Sequence, residues 1–172
     1  MNRTEEVASK AAGAMKAVKA TVKGLSGVFK QLTREHGEIA ALLMRVKLTS
    51  DPQIRRDMYP TIRSELLSHE RGELLEVYPV FVQYGELEGI VRAHEQEAGQ
   101  LEQILSELSS MAYDDRAWAP TFGRLMEMFA QHTRTEESDY FPKANRILGN
   151  DVADRMRESY ERTRADLRRR SP

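Results

Sequence analysis

Four histidines, His36, His69, His94 and His132, each occupy an apolar stripe with helical spacing. Leu32, His36, Ile39, Leu43 and Val46 recur every three or four residues, as do Ile62, Leu66, His69, Glu73 and Val77. The same holds for Ile90, His94, Ala98, Leu101 and Leu105, and for Phe122, Leu125, Phe129, His132 and Glu136. Such spacing puts each set on one face of a helix. Two of the histidines lead a matching phrase, His69 to Glu73 then Tyr78-Pro79, and His132 to Glu136 then Phe141-Pro142. The order along the chain is His, His-x3-Glu, His, His-x3-Glu. Four helices that each turn an imidazole inward must bring those groups together, because a buried polar group needs a partner.

The helices can be placed coarsely. One is expected from about Val28 to Leu48, ended by the turn Thr49-Ser50-Asp51-Pro52. A second runs from Pro52 to about Tyr84, with Pro60 marking a kink or restart and Pro79 ending its regular part. A third covers about Glu86 to Met111, and Asp114-Asp115 opens a fourth whose inward face continues to Tyr140. Gly149-Asn150-Asp151 breaks the pattern before an amphipathic stretch, Val152 to Arg168. No segment alternates with period two. The expectation is an all-α fold, an antiparallel up-down-up-down four-helix bundle with additional N- and C-terminal helical segments. Residues 1–27 form an N-terminal amphipathic arm or helix, 28–150 the bundle, and 151–172 a C-terminal helix and basic tail. His36 to His69 resembles His94 to His132 in spacing, which reads as a duplicated helical hairpin with pseudo-twofold symmetry.

Composition narrows the chemistry. The 172 residues suffice for one core. With no cysteine, disulfides, thiolate catalysis and Cys-based zinc or iron–sulfur sites are excluded. Any metal site is built from His, Asp, Glu, Tyr or water, leaving iron, manganese and zinc as candidates. A formal net charge of −1 gives no electrostatic case for nucleic acid. No apolar run reaches the length of a membrane span. The N-terminus carries Glu5, Glu6 and scattered lysines rather than an apolar signal region, so the expected location is cytoplasmic. Residues 1–27 read as a docking helix or disordered arm, and their low aromatic content argues against a membrane-surface helix.

Positions four apart lie on one helical face, so His69 with Glu73, and His132 with Glu136, can reach one metal ion or bridge two. The outer helices of each pair add His36 and His94. No Lys or Arg shares these stripes, so buried carboxylates there need another counter-charge. Singly, each histidine reads equally as a hydrogen-bonded core residue, and each glutamate as a solvated edge. The set of four with two matching glutamates favours a metal. Competing motifs fail. His69-Glu70 and His94-Glu95 begin like the zinc-protease H-E-x-x-H signature but lack its second histidine, and no Glu-x-x-His of the ferritin type occurs. Met44, Met126 and Met128 read as packing, since a hard oxygen-rich site does not recruit thioethers.

The order His, His-x3-Glu, His, His-x3-Glu with its trailing Tyr-Pro and Phe-Pro resembles the haemerythrin-like domain, or HHE cation-binding domain, over about residues 28–150. The resemblance implies a four-helix bundle around a non-haem centre of two Fe ions, bridged by oxo, hydroxo or water. It implies His36, His69, Glu73, His94, His132 and Glu136 as ligands, with Glu73 and Glu136 bridging. Some members of the family, such as the iron-sensing domain of a eukaryotic ubiquitin-ligase subunit, carry a Glu ligand directly after this His. Glu70 is therefore an additional candidate, against its reading as a solvent-facing residue beside Arg71. Tyr78 and Tyr140 are candidate hydrogen-bond donors around the ligands, against aromatic packing.

This chain departs from the oxygen-carrying haemerythrins. Their third helix bears H-x3-H, whereas Ile90 and Ala98 flank His94 here, so one imidazole is missing. Their last carboxylate falls where Glu137 stands, whereas Glu136 has the HHE spacing. The resemblance then implies open positions for dioxygen, peroxide or nitric oxide rather than reversible oxygen carriage, with an activity that consumes peroxide or nitric oxide as one outcome. The second expectation is an iron-binding or regulatory sensor module without turnover, with a protein partner or homo-oligomer contacting its terminal helices. The third is a metal-free structural bundle.

Overall fold

Turn chemistry sets the helix boundaries in the computed structural model, which describes residues 3–170. Residues 1–2 and 171–172 of the expected terminal segments lie outside the described residues. Helix α1 (Arg3–Val22) runs into a turn ahead of α2 (Gly27–Lys47). Gly27 adopts φ +47°, and a Cβ there would lie 2.2 Å from the Ala153 backbone, so handedness and close approach both demand glycine. Asp51 caps α3 (Pro52–Glu76) by accepting from the Gln53 amide at 2.8 Å, with Pro52 opening the helix. Pro60 lies inside α3, which continues through it.

Pro79 does interrupt the helix. It lacks the amide that would continue the ladder and its ring crowds the carbonyl four residues back. Accordingly α3 stops at Glu76, Val77 takes φ −102°, and a short α4 (Tyr78–Phe81) restarts at an angle. A 3₁₀ turn (Gly85–Leu87) leads into α5 (Glu88–Ser110). Helix α6 (Trp118–Thr135) begins later than the Asp114-Asp115 expectation, because Asp115 turns its carboxylate onto the Ala117 amide at 2.8 Å. Gly149, at φ +77°, separates α7 (Phe141–Leu148) from α8 (Asn150–Arg170). No strand occurs among the described residues.

Between α6 and α7 lies a π-helical turn, Glu136–Tyr140. A wider turn inserts one residue into the helical register. The inward position after Glu136 therefore passes to Phe141, which is fully buried, while Tyr140 rotates to a half-buried edge. The uninterrupted α-helical register expected through Tyr140 does not hold for this reason.

Helix α2 packs on α3 and α6, and α5 packs on the same two, closing a ring of four helices. Helix α1 lies along α2, and α8 lies against α2 and α3. Two apolar clusters fill the interior. One contains Phe29, Leu32, Val77, Phe81, Val91 and Phe141, the other Ile39, Leu66, Leu101, Trp118, Phe122 and Phe129. Every histidine falls between a residue of the first cluster and one of the second, as His36 does between Leu32 and Ile39. The core is thus a polar layer closed above and below by apolar side chains. No helix among the described residues is long and apolar enough to cross a membrane.

Candidate metal centre

The polar layer contains His36, His69, Glu70, Glu73, His94, His132 and Glu136, each at most 1% exposed. Among the described residues, two groups of ligand-type atoms lie within 4.8 Å of one another. One is His36, His69 and Glu73, and the other is Glu70, Glu73, His94 and His132. Glu73 belongs to both, with its oxygens 3.8 Å from His69 Nε2 and 3.7 Å from His94 Nε2. Glu136 also spans them, at 3.2 Å from His36 Nε2, 3.4 Å from His132 Nε2 and 3.4 Å from His94 Nδ1. Glu70 points inward, 3.4 Å from His132 Nε2, and is not the solvent-facing neighbour of Arg71.

Ten buried atoms of this layer have no hydrogen-bond partner: Nε2 of His36, His69 and His132, both ring nitrogens of His94, both oxygens of Glu70 and Glu73, and Oε2 of Glu136. Buried polar atoms are otherwise paired almost without exception, and each orphan costs on the order of 1–3 kcal/mol. These orphans are all hard nitrogen and oxygen donors aimed at one small volume. That donor set fits one or two divalent or trivalent cations.

Three imidazoles are oriented from behind by carboxylates. His36 Nδ1 lies 2.8 Å from Glu137, His69 Nδ1 3.0 Å from Glu35, and His132 Nδ1 2.8 Å from Glu97. A neutral ring that donates from Nδ1 presents its Nε2 lone pair inward, the arrangement by which metal-binding histidines are fixed. His94 is held differently, stacked on Tyr78. The Tyr78 hydroxyl donates to Glu136 at 2.7 Å. Tyr140 packs on the lower apolar cluster and makes no hydrogen bond to these residues.

Taken by themselves the groups cannot all ionise. Burial and the like charges of Glu136 and Glu70 push Glu73 well above the ordinary carboxylate range. Burial acts the same way on Glu136, but the cationic His132 and the close imidazoles of His36 and His94 outweigh it and hold it well below. For His132, burial opposes the cation, yet Glu136 and Glu70 prevail and raise it to about 10. Burial lowers His69 despite its bond to Glu35, whereas Glu136 and Glu137 outweigh burial to raise His36. Glu35, although buried, is held at about 2 by Arg164, His69 and Tyr160. The opposed shifts follow from packing like and unlike charges together out of water.

Three parts of the site escaped the sequence reading. Glu35 and Glu97 flank His36 and His94 in sequence but serve the histidine of the neighbouring helix. Their signal was a second glutamate near each lone histidine. Glu137 was noted only for its family position. Tyr160 and Arg164 lie on the stripe Ala153, Met156, Tyr160, Arg164 of α8, where an arginine in an apolar register was the available clue.

Residues 14–144 match the Hemerythrin HHE cation binding domain family. An uncharacterised hemerythrin-like protein of Schizosaccharomyces pombe is 26% identical over 133 residues. That alignment covers 76% of this chain and 66% of the relative, so the chain spans just under two thirds of the relative's length. No solved structure matches.

Proposed function

The chain belongs to the haemerythrin HHE cation-binding family, and from that premise we propose that it is a non-haem di-iron protein that binds, senses or reacts with dioxygen, peroxide or nitric oxide. The observation that carries this reading is the layer of ten orphaned donor atoms sealed between two apolar clusters. His36 and His69 would hold one ion, His94, His132 and Glu70 the other, with Glu73 and Glu136 shared. In the proposed up-down-up-down order of the ring helices, one ion would be reached from α2, α3 and the end of α6, the other from α3, α5 and α6. Iron would supply redox chemistry and exchangeable positions for a small ligand.

The chain's own residues do the rest. Glu35, Glu97 and Glu137 fix three imidazoles. The apolar clusters exclude water and strengthen every charge interaction inside. The Tyr78 hydroxyl donates to Glu136, which sets a hydroxyl proton against the layer. A surface groove of about 390 Å³ is lined by Leu43, Met44, Met126 and Phe129 together with Lys16, Arg134 and Glu137. The Phe129 ring, which lines this groove, meets that of His36 edge-on at 6.1 Å.

One observation favours a second reading, an iron-responsive module without turnover. Side chains of α1 and α8 are wired to the layer, which gives metal occupancy a route to the protein's outer helices. The deciding experiment is metal analysis and optical spectroscopy of protein from iron-supplemented cells, followed by azide, peroxide and nitric oxide. About two irons per chain with near-ultraviolet charge-transfer bands that respond to these ligands is the expected result. Turnover would select the enzyme reading and binding without turnover the sensor. Absence of iron after reconstitution would leave a structural bundle.

A further inference from the structure

Both helices outside the ring reach into the polar layer, and both reach the same side of it. On α8, the Tyr160 hydroxyl donates to Glu35 Oε2 at 2.6 Å, and Arg164 Nη1 lies 2.7 Å from Glu35 Oε1. Glu35 in turn accepts from His69. Room for the tyrosine comes from Gly72, where a Cβ would sit 2.7 Å from the Tyr160 ring. On α1, Lys16 Nζ lies 2.6 Å from Glu137, which accepts from His36. The other two imidazoles are served without α1 or α8, His132 by Glu97 of α5 and His94 by Tyr78 of α4.

The cost of this wiring argues that it serves more than coverage. Arg164 is 6% exposed. Desolvating a guanidinium is unfavourable unless acceptors surround it, and an apolar side chain would cover the core at least as well. Here the two terminal nitrogens are paired, with Glu35 and with Glu65 at 2.8 Å, while the buried Nε has no partner. Tyr160 is fully buried and spends its hydroxyl on the same carboxylate. Two costly groups on one helix thus converge on the acceptor that orients His69.

We propose that Tyr160 and Arg164 of α8, with Lys16 of α1, are positioning residues for the His36–His69 metal position alone, so that the two positions of the centre are held unequally. One position depends on α1 and α8, docked outside the ring, and the other on neither. This inference rests on the di-iron reading. Carboxylates that orient a metal-bound imidazole typically govern about ten- to a hundredfold in affinity. Loosening Glu35 or Glu137 therefore loosens one metal while sparing its neighbour.

The test is anaerobic ferrous titration of the full chain against a chromophoric chelator, comparing wild type with Tyr160→Phe, Arg164→Met and Lys16→Met. Glu97→Gln perturbs the opposite side. Tyr160→Phe keeps the ring against Gly72 and removes only the hydroxyl, so it remains informative should Arg164→Met fold poorly. The expected result is two equivalents in wild type, with one equivalent weakened ten- to a hundredfold in each helix variant and the other unchanged. The bands of a coupled iron pair should fade accordingly, and Arg164→Lys should restore part of the loss. Equal weakening of both equivalents, or none, overturns the inference. A wild-type chain that takes up no iron fails earlier and removes the di-iron reading together with it.

Discussion

The ring of Tyr78 lies parallel to that of His94, with centroids 3.7 Å apart and 11° between the planes. Its hydroxyl reaches Glu136 at 2.7 Å. The break imposed by Pro79 puts it there, since Tyr78 opens the restarted helix rather than continuing α3. Tyr78→Phe keeps the stacking and deletes the donor to a fully buried carboxylate. We expect a loss of about 1–3 kcal/mol in the urea unfolding free energy, with metal content retained. The charge-transfer bands of the iron-loaded protein should shift. Unchanged stability together with an unchanged spectrum would show that the hydroxyl does not matter to Glu136.

Metal should stabilise this fold more than a peripheral site would. The ten orphaned donors lie in the layer between the two apolar clusters, so their desolvation is charged against folding until a cation compensates it. At free iron a thousandfold above Kd, binding one ion to the native state contributes about 4 kcal/mol. For a chain of this size that corresponds to roughly 10 °C in Tm. Calorimetry with and without a chelator measures it. Coincident transitions would mean that the layer is satisfied by its own protonation.

The ring of helices and most of the layer were legible in the sequence because each histidine sits in an apolar stripe with period 3.6, and burial along α2, α3, α5 and α6 follows that period. The register after Glu136 was not, because a π turn is decided by packing and leaves no composition of its own. That one inserted residue moved Tyr140 off the inward face and put Phe141 against His36, where the rings now stack at 5.9 Å. The outer carboxylates were hidden for another reason. Glu35 serves His69 rather than its sequence neighbour, and pairing across helices is invisible to periodicity along one.

The double variant His69→Ala, His132→Ala removes one nitrogen from each group of ligand atoms. We expect iron content below about a tenth of wild type, since loss of a first ligand from each position exceeds the effect of losing its supporting hydrogen bond. Without metal, the variant also relieves two buried imidazoles, but it opens cavities and takes one hydrogen bond each from Glu35 and Glu97. Circular dichroism should retain the helical signature while Tm no longer responds to iron. A variant that still binds two irons would dissociate the polar layer from the metal site altogether.

Proton release gives the last test. His132 is raised from 6.5 to about 10 by Glu136 and Glu70 against the opposing effect of burial. A raised imidazole pKa stabilises the fold fully below its ordinary value, and that contribution fades as pH climbs through about 10. Near neutral pH the ring therefore carries its proton, whereas a metal ligand must be neutral at Nε2. Loading should expel at least about one proton per chain from His132, with more from Glu73, whose burial also favours the protonated form. Titration calorimetry in buffers of different ionisation enthalpy counts them. The count should fall by about one in His132→Ala and should shrink as the working pH approaches the raised pKa. Uptake with no linked protons near neutrality would mean that His132 is not displaced by the metal, and the second position would have to be rebuilt without it.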